Sequence, residues 1–145
     1  HILGGTSEVT AIAKLIRFHR FQLDEKRRGL KELEDQAAKI EEFLANLISQ
    51  VEAEKELASE NFDMQRDYPN FIRAALKQHD QRSKDLAAVR GRVETAREEV
   101  REAFAAVKKF EITKQNHDAE VAEEAERREQ INLDEVALNN HRMRQ

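Results

Sequence analysis

From Val9 onward the chain keeps a seven-residue hydrophobic frame. Position a takes Val9, Ile16, Leu23, Leu30, Ala37, Leu44, Val51 and Ala58, and position d takes Ile12, His19, Lys26, Leu33, Ile40, Leu47 and Glu54. About seven heptads with mainly apolar a and d sites predict a long coiled-coil helix, since three or four already argue for one. Phe18, Phe21, Phe43 and Ile48 add apolar surface beside the stripe. The frame stops between Ser59 and Asn70, a stretch that holds the single proline, Pro69. Proline lacks a backbone N–H and disfavours helical geometry in the residue before it, so it is expected in the first turn of a new helix. A second frame follows. Its a sites run Ile72, His79, Leu86, Val93, Val100, Val107, Lys114 and Val121. Its d sites run Ala75, Arg82, Val89, Ala96, Ala103, Phe110 and His117, and the same frame recovers Ile131 and Leu138.

Two long heptad helices across a short break predict an all-α fold. The two long helices are expected to form an antiparallel coiled-coil hairpin with a C-terminal helical overhang. The expected boundaries are a helix over about 9–60, a turn over about 61–68 and a helix over about 69–142, roughly 75 and 105 Å long at 1.5 Å per residue. Folded about residues 64–66, such a hairpin sets Val9 opposite Val121. It leaves the last ~20 residues unpaired, with Ile131 and Leu138 on one face. His19, His79 and His117 fall on the seam, where polar residues fix register. Residues 1–8 lie outside the frame and hold two of the four glycines. They read as a flexible end or an added segment foreign to the protein, with Thr6 or Ser7 capping a helix near Val9.

Composition narrows the class. The 145 residues are 37% charged and 39% hydrophobic, against roughly 25% and 45–50% in ordinary globular chains. That near-tie argues against a normal compact core. With no Cys, a disulfide scaffold, thiolate zinc sites and a cysteine nucleophile are excluded. No apolar run approaches the ~20 residues of a membrane span, and no basic leader precedes a long apolar stretch. A soluble, cytoplasmic protein is the expectation, without direct membrane insertion.

Charge is unevenly placed. Lys14 to Arg28 holds six basic residues (Lys14, Arg17, Arg20, Lys26, Arg27 and Arg28) against two acids, while Lys31 to Asp67 is strongly acidic. Most of these charges read as a solvated face. The basic run is the exception, and Phe18 and Phe21 flank Arg17 and Arg20 there. They either widen the seam or form an aromatic-and-arginine docking patch. Chemistry is not expected. Three residues before His19, His79, His117 and His141 stand Ile16, Leu76, Lys114 and Leu138, so the Glu-x-x-His pairs of carboxylate metal bundles are missing. There is no glycine-rich phosphate loop, and Ser7, Ser49, Ser59 and Ser83 lack a nucleophile setting. No enzyme, no metal and no cofactor are expected. Nucleic acid is not an expected partner for a chain of net charge −4 whose short basic run has no alternating aromatics.

The unequal helices, the Tyr68-Pro69-Asn70-Phe71 entry into the second, and the opening Phe18-His19-Arg20-Phe21 followed by Glu25-Lys26-Arg27-Arg28 resemble the FliJ family over about residues 10–145. FliJ proteins are stalks of the flagellar type III export apparatus. The resemblance implies a non-catalytic rod whose paired termini enter the hexameric export ATPase and whose hairpin face meets the cytoplasmic domain of the export gate. Export chaperones are further implied partners, and the implied location is the cytoplasmic face of the inner membrane. Carried onto this chain, the gate patch begins at Phe71 and continues through Ala75, Gln78 and Arg82, of which only Phe71 matches the family pattern closely. The implied ring-facing end comprises Arg17, Arg20, Lys26, Arg27 and Arg28, with Arg127 and Arg128 across from or beyond them. The equivalent stalk of a virulence secretion system and a generic coiled-coil tether or chaperone arm are the alternative readings.

Overall fold

The computed structural model of the chain describes residues 2–144, with side chains from Glu8 to Arg144. Every element among them is helical: α1 (Ile2–Glu60) and α2 (Phe62–Arg144) pack against each other as a helical hairpin. The expected fold class is therefore the observed one.

Asn61 alone separates the helices. Its N–H donates to the Leu57 carbonyl at 3.0 Å, closing the last turn of α1. Its side-chain Oδ1 accepts the Asp63 N–H at 3.0 Å, capping the first turn of α2. Asp63 also sets a negative charge at that helix start, where the backbone dipole favours it. This double use of one residue corrects the expected turn over 61–68. The cap starts α2 at Phe62, and Pro69 lies inside the helix rather than at its first turn. A proline so placed forgoes the bond to the carbonyl four residues earlier, an interior cost of about 3 kcal/mol. The other end is corrected too. Helix α1 begins at Ile2, so 2–8 continue the helix and no cap precedes Val9. Gly4 and Gly5 each cost about 1 kcal/mol of propensity without removing a backbone bond. The side chains of Thr6 and Ser7, and all of His1, lie outside the described residues.

Two compact units divide the chain, Asp24–Glu102 and the residues through Leu23 with those from Ala103. In Asp24–Glu102, Ala37, Leu86, Val89 and Val93 are buried together, with Leu30, Leu33, Ile40 and Leu44 packed around them. All eight are a or d residues, and Ala37 lets the helices approach where it faces the valines. Leu47, Ala58 and Ala75 extend this core. Arg90 reaches Glu41 at 3.0 Å and Lys26 reaches Glu99 at 3.1 Å, so moving back along α1 means moving forward along α2, as antiparallel pairing requires.

In the other unit Ile16, Leu23 and Val107 are buried. His19 stacks flat on Phe110, centroids 4.7 Å apart and planes 17° apart. The seam histidines thus divide. His19 and His117 are half-buried on it as expected, whereas His79 is exposed, with Ser83 Oγ 3.4 Å from its Nδ1. His117 Nε2 is buried and has no hydrogen-bond partner among the described residues. Beyond it the seam ends, and 118–144 are exposed throughout.

Candidate functional site

The gate patch expected on α2 rests on residues at i, i+4, i+7 and i+11, spacings that share one helix face. The structure gives its members different environments. Ala75 is buried at 6% exposure and belongs to the core. Its place at d, facing α1, is why it cannot present itself to a partner. Phe71 is half-buried, while Gln78 and Arg82 are exposed. Arg82 does not stand free. Its guanidinium lies 5.2 Å from the centroid of the Phe43 ring on α1 and 3.6 Å from Asp85.

An exposed cation over a ring contributes about 0.5–1 kcal/mol. That is enough to bias the orientation of Arg82 and too little to lock it. Phe43 itself keeps 38% of its surface open. It is the residue the helical spacing on α2 missed, because it comes from the other helix. Its place just outside the α1 a and d sites was the available signal.

The basic set distributes over both units. In Asp24–Glu102, Lys26 pairs with Glu99 and Arg28 with Glu25 at 2.9 Å, while Arg27 has no ion-pair partner among the described residues. In the other unit Arg20 donates to Glu111 at 3.1 Å and Arg128 to Glu124 at 2.8 Å, while Arg17 and Arg127 have no such partner among the described residues. Lys108 also reaches Glu111 at 3.1 Å. The hydrogen bond from Arg20, with that from Lys108 second, holds the Glu111 carboxyl below the ordinary glutamate value.

Phe18 and Phe21 are exposed at 55% and 58%, so they do not widen the seam. They occupy heptad positions c and f, which point away from the partner helix. Phe18 meets His19 edge-on at 5.3 Å, leaving the seam contact to the histidine. Leu15, also exposed, lies on the same helix two residues before Arg17. An apolar surface bordered by cations suits a partner surface that is apolar and acidic.

Two shallow grooves run along Asp24–Glu102. One is lined by Leu33, Ala88, Gly91, Arg92, Thr95 and Ala96 among others. The second includes Ala37, Ala38, Glu41, Arg90, Val93 and Arg97. No group of three or more His, Asp or Glu side chains suited to a metal occurs among the described residues. No helix among them is long and apolar enough to cross a membrane.

A family model described as "Flagellar FliJ protein" matches residues 9–145. No curated protein and no solved structure matches the chain.

Proposed function

The chain belongs to the FliJ family, a non-catalytic component of flagellar protein export, and on that basis we propose that it is the stalk of the export apparatus. The stalk enters the export ATPase ring, promotes its assembly and turnover, and links it to the export gate at the cytoplasmic face of the inner membrane. The carrying observation is the family match over residues 9–145, which takes in both helices. Arg17 and Arg27 on α1 and Arg127 on α2 have no ion-pair partner among the described residues, which suits them to meet acidic groups on a ring. Phe71, Gln78, Arg82 and Phe43 form the gate-facing patch, with Ala75 as its buried support. Exposed charge pairs contribute about 0–1 kcal/mol each, so both contacts are modest in affinity and weakened by salt.

The test uses a purified export ATPase and the purified gate domain. Adding the chain raises hexamer formation and turnover, and an Arg17→Glu/Arg27→Glu variant loses most of that stimulation. Phe71→Ala weakens gate binding while helicity stays constant. An ATPase indifferent to the chain in both assembly and rate refutes the stalk reading.

A further inference from the structure

The part of α2 from Asp118 to Arg144 is helical, and each of its residues is exposed. At 1.5 Å per residue it is about 40 Å long. Helices take most of their stability from packing an apolar face. Here Ile131 and Leu138 keep 56% and 54% of their surfaces open. The described part of α1 that precedes Lys14 contains no Lys or Arg, so it offers no cation to the acids between Asp118 and Glu126.

The charges on the Ile131–Leu138 face have an order. Residues three, four, seven and eleven away from Ile131 share its face. Three steps either side stand Arg128 and Asp134, and four steps either side stand Arg127 and Glu135. Eleven steps either side stand Glu120 and Arg142. Each of these couples joins opposite signs. Seven steps away, Leu138 is matched by Glu124, whose carboxylate already accepts from Arg128 within the helix. Reversing the segment about Ile131 therefore maps cation onto anion at all three charged couples. A parallel alignment of two such segments would instead set like against like.

We propose that this segment of α2 pairs antiparallel with the same segment of a second copy of the chain, about a twofold axis at Ile131. Ile131 meets its symmetry mate at the axis. Arg127 of each copy lies beside Glu135 of the other, Arg128 exchanges its bond to Glu124 within the helix for Asp134 of the other copy, which gives up Gln130, and Glu120 lies near Arg142 at both ends. A twofold axis uses one self-complementary patch twice, the commonest arrangement in homo-oligomers. The apolar contact supplies attraction, while the charges set orientation and register. Ion pairs of this exposure are screened by salt, so the association is concentration-dependent and weakens as ionic strength rises.

Sedimentation equilibrium on the full chain tests this directly. At low ionic strength the mass is expected to rise with concentration from the 16.9 kDa monomer to twice that value, and to fall back in high salt. Ile131→Glu abolishes the dimer, whereas Leu133→Gln, at an exposed site on the opposite face, leaves it intact. All these sites are exposed in the single chain, so helicity by circular dichroism at concentrations below the dimer range is the same for every variant. Arg127→Glu/Arg128→Glu and Asp134→Arg/Glu135→Arg are each monomeric alone, and an equimolar mixture of the two recovers the dimer. A chain that stays monomeric at every concentration overturns the proposal. So does a dimer equally sensitive at Leu133 and Ile131, or a mixture that fails to associate. Arg127 and Arg128 also belong to the proposed ring-facing end, but the measurement involves this chain alone, so its outcome is separate from that reading.

Discussion

Leu86 and Leu138 stand in the same heptad frame of the same helix, yet one is 7% exposed and the other 54%. Around Leu86, α1 supplies an apolar face in register, and Leu86 joins one core with Ala37, Val89 and Val93, against which Ile40 and Leu44 pack. Around Leu138 the frame continues, but Leu138 stays exposed among the described residues. Periodicity thus specifies which side of a helix is sticky. Whether that side is buried depends on a second element reaching it.

The sharpest way to break this comparison is to truncate both leucines. Leu86→Ala should cost about 2–4 kcal/mol, as burial is lost and a cavity remains between the packed helices. Leu138→Ala at dilute concentration should shift stability by under about 0.5 kcal/mol. Urea denaturation followed by circular dichroism separates the two, and equal losses would mean that the α2 end is covered in the monomer. A smaller effect of opposite sign is expected at Gly91. An added Cβ there meets nothing within 4 Å, and the backbone is helical with no positive φ. Gly91→Ala should stabilise by about 1 kcal/mol through helix propensity alone. Gly29 offers the same open space and the same gain, and the two should add, since neither side chain touches a shared partner.

The hairpin was legible because its signal is long. Leu30, Leu33, Ala37, Ile40 and Leu44 repeat over enough turns that no single residue decides the outcome. The junction was less legible because it turns on one side chain. Pro69 announces a break, but the Asn61 side chain caps Asp63 eight residues earlier, and a lone cap outweighed the proline as the start of α2. Of the candidate patch, the α2 spacing located Phe71, Gln78 and Arg82 on one face, and the heptad frame, with Ala75 at a d site, already turned that residue inward. Neither could bring Phe43 beside Arg82, because that contact depends on the register between helices. The family likeness, over about residues 10–145, covers nearly the same residues as the family model, 9–145.

The smallest expected effect concerns Glu111. This carboxylate accepts from Arg20 on α1 and from Lys108 on its own helix. Arg20 is the larger cause of its lowered pKa. Because the folded pKa lies below the unfolded one, the folded state binds the proton less readily. The resulting stabilisation is present in full above the ordinary glutamate range and is lost as pH falls through the folded value. Glu111→Gln should therefore lower Tm slightly at neutral pH. The difference should shrink as the solution is acidified below the ordinary glutamate range, where the native carboxyl is protonated as well. Melting curves of the two proteins at neutral and acidic pH test the sign. A gap that widens on acidification would show that Glu111 opposes folding where Arg20 reaches it.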